Sequence, residues 1–366
     1  MFEEVGPCKV LIWFATDRCN INCRHCCAGS SGEASPNELT TKEAKELVNQ
    51  TAELRQICGN PQYFGIVGGE PLLREDLLEV IDHANSWELP CHIITKGTLL
   101  TQKWAAELAK RKCLVSIALD AFSAETYDWM TQVEGTYVKA RQAIDLCKRE
   151  GILQGITSTL MKPNASEVFE LLDFSAELGM ERCPVFVLRP VGRGLHVYQE
   201  LAITGLEYER YLHKLYYRIR EVNKATAVDF FVYDPIYYRV LYQHRADETI
   251  RNYYPSGKLC GLGRYLDVDA EGNVLACLFT DLTVGNIREK PLKEIWKGVT
   301  SFPFFNDIHN TKNLKGACGR CKFNNICGGC RTRAYKLTGD WFASDPACYY
   351  TEMERSDDKE RDFLAV

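Results

Sequence analysis

The chain has 366 residues, 46% of them hydrophobic and 25% charged, which excludes a disordered or fibrous protein and leaves room for one large domain plus a smaller one. Lys and Arg number 44 against 49 Asp and Glu, a net charge of −5, so a sequence-independent grip on nucleic acid is excluded. Acidic Glu3 and Glu4 stand where a secretory signal would be basic, and the first apolar run is too short to cross a membrane. The expectation is a cytoplasmic protein with neither a membrane nor a nucleic-acid partner, in which 17 cysteines mean metal binding rather than disulfides.

In chain order, residues 9–16 form a short apolar, β-branched and aromatic run that reads as a buried strand. Directly after it come Cys19, Cys23 and Cys26, in the run Cys19-Asn20-Ile21-Asn22-Cys23-Arg24-His25-Cys26. Three thiolates in eight residues can ligate three irons of a four-iron cluster and leave the fourth open, and open coordination is where metal sites do chemistry. A helix over 36–54 follows, with a capped start at Thr40-Thr41-Lys42-Glu43. Strands over 62–67, 91–95, 114–119, 155–161 and 184–189 then alternate with helices over 77–87, 103–110, 137–149 and 166–178. Six β/α units imply a parallel sheet with helices outside: an α/β protein built as a (β/α)6 partial barrel over residues 1–195, with the cysteines at a strand's C-terminal end, where such barrels gather their active sites.

At the end of the second strand stand Gly68, Gly69, Glu70 and Pro71. Glycines there let the backbone approach a ligand, and the neighbouring carboxylate can accept hydrogen bonds from an ammonium group. Taken with the cysteine loop on the adjacent strand, the pair proposes a cluster whose open iron is chelated by the amine and carboxylate of an amino acid, with Glu70 holding the amine.

The Cys-x3-Cys-x2-Cys triplet and the Gly-Gly-Glu-Pro turn resemble the radical S-adenosylmethionine enzymes over nearly the whole chain. The resemblance implies that Cys19, Cys23 and Cys26 bind a 4Fe–4S cluster and that S-adenosylmethionine chelates its fourth iron. One electron, from a donor of the flavodoxin or ferredoxin type, then cleaves the sulfonium to a 5′-deoxyadenosyl radical that abstracts hydrogen from substrate. His25 fills the position that lies along the adenine. Where the family often has a Ser two residues before Asp120, this chain has Ala118; Ser116 and Asp120 share that face of the strand by alternation and become the candidates for the S-adenosylmethionine carboxylate or ribose. Lys96 stands where relatives often have Asn.

The last hundred residues carry Cys260, Cys277, Cys318, Cys321, Cys327, Cys330 and Cys348. Two Cys-x2-Cys pairs also suit an all-thiolate zinc ribbon, but five residues between them is short for one and three further cysteines would be left over. The arrangement resembles the SPASM extension of the same enzymes, which carries two auxiliary iron–sulfur clusters of the four-iron kind. Gly272 precedes Cys277 by five residues as that motif requires, within a hairpin over 266–275. By that resemblance Cys260, Cys277 and Cys330 serve the first auxiliary cluster, and Cys318, Cys321, Cys327 and Cys348 the second. No nearby cysteine precedes Cys260, which leaves the first with a non-cysteine ligand or an iron open to substrate.

This cysteine-rich domain spans 256–366. Between it and the barrel, residues 196–255 form a bridging region dense in Tyr and Phe, read as an aromatic face packed on the barrel or, more sharply, as a wall for a large substrate. The segment 330–348 looks most like those of haem-precursor decarboxylases, and the barrel starts by residue 9, without the extra N-terminal domain that peptide maturases often carry. The functional expectation is a radical S-adenosylmethionine enzyme acting on a peptide or tetrapyrrole-like precursor. The competing reading is a non-catalytic electron-transfer or zinc-binding scaffold. No catalytic acid, base or hydrogen donor is identified by the sequence.

Overall fold

In the computed structural model, which describes residues 11–58, 63–226, 228–244 and 260–355, seven strands run parallel. They are β1 (Leu11–Phe14), β2 (Phe64–Val67), β3 (Cys91–Thr95), β4 (Leu114–Ala118), β5 (Leu153–Leu160), β6 (Arg182–Val187) and β7 (Asp229–Tyr233). Beyond β1 the same sheet continues through β8 (Leu266–Val268), β9 (Asn273–Leu275) and β10 (Thr283–Asn286), in the order β10-β9-β8-β1-β2-β3-β4-β5-β6-β7. β8 lies parallel to β1, while β9 and β10 are antiparallel.

The first six strands and the five expected helices form where the apolar periodicity places them. Thr40 and Glu43 make the expected reciprocal cap of the helix Thr41–Cys58: the Glu43 N–H donates to the Thr40 hydroxyl at 3.4 Å and the Thr40 N–H to the Glu43 carboxylate at 2.8 Å. Sequence periodicity missed the helix Ala124–Thr131 and the seventh strand. β7 lies in the tyrosine-rich stretch and pairs with β6 from Arg182↔Asp229 to Phe186↔Tyr233, so this stretch supplies sheet as well as the helices Gly205–Ala225 and Pro235–Gln243. Of its aromatic side chains, Tyr208, Phe230, Tyr237 and Tyr238 are buried and Tyr217 is exposed. Among the described residues no helix is long and apolar enough to cross a membrane.

The hairpin β8–β9 turns at Gly272, whose φ of +83° only glycine adopts readily; a Cβ there would also come within 2.9 Å of Leu39. The cysteine-rich region is fastened to the barrel in two further places. Arg288 pairs with Glu43 at 2.6 Å, and a wholly buried ion cluster joins Arg189 and Asp234, after β6 and β7, to Arg333 and Asp345.

Candidate iron–sulfur and S-adenosylmethionine site

The C-terminal ends of β1 to β4 and β6 converge on the loop that follows β1. That loop is closed on itself, the Cys19 N–H donating to the Ser31 carbonyl at 2.6 Å and the Ser31 N–H to the Asp17 carbonyl at 3.2 Å. Arg193, after β6, holds it from the far side: Nε donates to the Cys23 carbonyl at 2.8 Å, Nη1 to the Ser30 carbonyl at 2.5 Å, and the Arg193 N–H to the Cys26 carbonyl at 2.9 Å. Sequence reasoning missed Arg193, which stands between Gly192 and Gly194 in the loop after β6, far along the chain from the carbonyls it holds.

Gly68 and Gly69 do more for the chain than for a ligand. A Cβ on Gly68 would stand 2.6 Å from the Thr16 carbonyl oxygen, and one on Gly69 2.2 Å from that of Arg18. The close approach lets the Gly69 and Glu70 N–H groups donate to those same carbonyls at 2.7 and 2.8 Å, which fixes the turn against the start of the cysteine loop. Glu70 is buried there, accepting both oxygens' bonds from the Thr95 hydroxyl at 2.7 Å and one from the Leu72 N–H at 3.2 Å. Burial raises its carboxyl, against the pull of those hydrogen bonds. Pro71 opens the short turn Pro71–Leu73 behind it.

His25, Lys96 and Asp120 meet beside the loop. The Asp120 carboxylate pairs with Lys96 and, at 3.2 Å, with His25 Nε2, and it accepts from the Thr159 N–H at 2.7 Å. Burial alone would push Asp120 up; Lys96 and His25 overcome it and hold the carboxyl well below its usual range. Ser116 is buried and bonded to His92 Nε2 at 2.9 Å, so its hydroxyl already has a partner on the neighbouring strand.

Ten of the cysteines lie in three places. Cys19, Cys23 and Cys26 share the loop, where burial raises Cys19 and pushes Cys23 to about 12, with Lys96 opposing. Cys260, Cys277 and Cys330 line a cavity of about 160 Å³ between the open side of the sheet and the cysteine-rich region; Cys318, Cys321, Cys327 and Cys348 line a second cavity. Among the described residues no three His, Cys, Asp or Glu side chains converge on a single metal ion. Thiols ringing a void are a donor set that suits a multi-atom iron–sulfur cluster, which would hold them as thiolates. Cys91, Cys113, Cys147 and Cys183 are buried in the core. Cys8 lies outside the described residues, as does the side chain of Cys58.

A family model described as the radical SAM superfamily matches residues 13–175, and one described as an iron-sulfur cluster-binding domain, SPASM, matches residues 260–322. The AdoMet-dependent heme synthase of Methanosarcina barkeri is 32% identical over 362 residues, covering 96% of this chain and 99% of the relative. The chain belongs to the radical SAM superfamily. Pre-heme d1 synthase of Dinoroseobacter shibae is 30% identical over 378 residues, covering 98% of this radical SAM chain and 91% of the relative. The structure of native anSMEcpe with bound AdoMet superposes with a TM-score of 0.70 at 19% identity, covering 95% of each chain, a likeness of fold. This is therefore a SPASM-type radical SAM enzyme, and the electron-transfer or zinc-scaffold reading does not fit.

Proposed function

We propose that this radical SAM enzyme acts on a carboxylate-bearing tetrapyrrole, removing propionate carboxyls by oxidative decarboxylation. The observation that carries the substrate class is the cavity beside Cys260, Cys277 and Cys330: Phe186, Tyr233, Tyr238 and Phe279 offer flat apolar walls, and Arg189 supplies a cation. Arg189 Nη1 and Nη2 donate to Asp234 and the Tyr233 carbonyl, but its buried Nε has no hydrogen-bond partner among the described residues, a donor left for a carboxylate. The haem-synthesis names of the relatives at 30–32% identity support the same reading, whereas the mycofactocin maturase of Mycobacterium ulcerans is 27% identical.

In this reading Cys19, Cys23 and Cys26 hold the 4Fe–4S cluster, Cys260, Cys277 and Cys330 hold one auxiliary four-iron cluster at the edge of the substrate cavity, and Cys318, Cys321, Cys327 and Cys348 hold a second. When bound, these groups and S-adenosylmethionine supply a 5′-deoxyadenosyl radical and a sink for the electron that decarboxylation releases, with a flavodoxin- or ferredoxin-type donor providing the priming electron. Glu70 receives the S-adenosylmethionine amine at the end of β2, with Gly68, Gly69 and Pro71 shaping the turn; its position is held by Thr95. His25 flanks the adenine, oriented by Asp120, while Ser116 acts behind the site through His92. The barrel over 1–195, the bridge over 196–255 and the cysteine-rich part over 256–366 then divide the work into radical generation, substrate wall and electron handling, in the cytoplasm.

The test is an anaerobic assay of the reconstituted, reduced enzyme with S-adenosylmethionine and an iron-coproporphyrin. The expected result is 5′-deoxyadenosine together with a product lighter by the elements of formic acid for each propionate converted to vinyl. Turnover of a precursor peptide and none of the porphyrin would move the substrate to the peptide class; no 5′-deoxyadenosine at all would overturn the site.

A further inference from the structure

The two cysteine-lined cavities differ in their fourth donor. Four thiols line one, but among the described residues only Cys260, Cys277 and Cys330 line the other, where a four-iron cluster still has a fourth iron to place. Asp267 lines that same cavity. It sits in the middle of β8, paired across to Ile12 of β1 and to Leu275 of β9, and Leu275 stands two positions before Cys277. We propose that the Asp267 carboxylate is the fourth protein ligand of the cluster held by Cys260, Cys277 and Cys330. The inference rests on the reading of those three thiols as cluster ligands.

Four buried aspartates can be compared. Asp120 pairs with Lys96 and His25, Asp234 with Arg189 and Arg333, and Asp345 with Arg333. Asp267 is 2% exposed, and among the described residues its Oδ2 has no hydrogen-bond partner and its carboxylate no ion pair. Its flanks, Leu266 and Val268, are wholly buried and apolar. Burying a carboxylate without a partner costs several kcal/mol, so such a group either stays protonated or meets a cation. Arg189, the guanidinium that lines the cavity, directs its two terminal nitrogens to Asp234 and the Tyr233 carbonyl, and its Nε makes no hydrogen bond to Asp267. An iron of the cluster is the cation that the three neighbouring thiols bring, and a carboxylate is a competent iron ligand. The β8 pairing with both β1 and β9 holds Asp267 on a rigid element, as a ligand requires.

The experiment uses the full chain with Cys19→Ala, Cys23→Ala and Cys26→Ala, so that only auxiliary clusters report. Iron and sulfide content, electron paramagnetic resonance and potentiometric titration are compared for that protein and for versions adding Asp267→Ala, Asp267→Cys or Cys277→Ala. Asp267→Ala is expected to lose about one iron per chain and to show the oxidised signal of a three-iron cluster. Asp267→Cys is expected to keep its full iron and to shift the midpoint potential of one cluster only, which covers the case in which the alanine variant does not fold. Unchanged iron, spectra and potentials in both Asp267 variants, with Cys277→Ala still altering one cluster, would overturn the ligand role and place Asp267 against substrate. If Cys277→Ala is silent as well, the assignment of the three thiols falls and takes this inference with it.

Discussion

Arg333 Nη1 lies 3.0 Å from Asp234 Oδ2, with both side chains wholly buried, and the same oxygen accepts from Arg189 Nη1 at 2.7 Å. One carboxylate at the end of β7 thus ties the loop after β6 to the helix Arg331–Thr338 that follows Cys330. Burial would raise the Asp234 carboxyl, but Arg333 and Arg189 lower it to about 2, so it stays ionised. Asp345 extends the link, accepting from Arg333 and from the Cys330 N–H at 2.6 and 2.7 Å. The cysteine-rich region is therefore registered on the barrel by charge as well as by the shared sheet.

Replacing Asp234 by Asn keeps an acceptor for the Ile236 N–H and removes the charge between two buried guanidinium groups. The expected cost is about 3–5 kcal/mol, because breaking a buried pair strands its partners. Chemical denaturation of the holoenzyme measures it; an unchanged midpoint would show that the ion cluster does not hold the two parts together.

Gly69→Ala drives a Cβ to 2.2 Å from the Arg18 carbonyl oxygen, a backbone atom that cannot swing aside. A loss of about 1–3 kcal/mol is expected, with the first cluster's iron content falling alongside. Gly32→Ala, which meets nothing within 4 Å, is the control and should be silent in both readouts.

Arg193→Ala frees the Cys23 and Ser30 carbonyls and so loosens the cysteine loop without touching a thiol. Reconstituted enzyme should bind less iron at the first cluster and retain the auxiliary ones; Arg193→Lys should not restore it, since a point charge cannot span both carbonyls. Equal iron content in wild type and Arg193→Ala would remove Arg193 from the site.

With three four-iron clusters the chain should hold about twelve irons, and Cys19→Ala, Cys23→Ala, Cys26→Ala should retain about eight. Abundant zinc with little sulfide after anaerobic purification would contradict the cluster assignment.

Glu43 is held at about 2, chiefly by its hydrogen bond to Arg288, against the slight opposing effect of burial. Its folded value lies below the ordinary carboxyl value of about 4.3. The Glu43–Arg288 pair therefore contributes stability that is complete above about pH 4.3 and is lost as pH falls toward about 2. Glu43→Gln should flatten that part of the stability–pH curve and reduce its salt dependence. A curve parallel to wild type across this window would show that the pair contributes nothing.

The triplet Cys19, Cys23 and Cys26, the Gly68–Pro71 turn and the spacing of the later cysteines were legible in the sequence because each is local: a few residues apart, or at the end of a periodic apolar run. The six β/α units were legible for the same reason, since a strand buried on both faces and an amphipathic helix leave different periods. β7 was hidden because a five-residue aromatic strand, between helices equally rich in Tyr, carries no distinguishing period. Arg193 and Thr95 were missed because their partners, the carbonyls of the cysteine loop and the Glu70 carboxylate, stand far off along the chain.

By itself, then, the sequence determined the family and the placing of its motifs: a thiol triplet after the first strand, a barrel to carry it and seven more cysteines in the last hundred residues. Tertiary structure alone decided which groups face one another. It placed β8 beside β1, so that Asp267 shares a cavity with Cys260, Cys277 and Cys330, and it brought Arg333 to Asp234 across 99 positions of chain. The physical reason is that a ligand set or a buried charge pair is defined by distances in space, which strand pairing and packing create and which local patterns of residues do not encode.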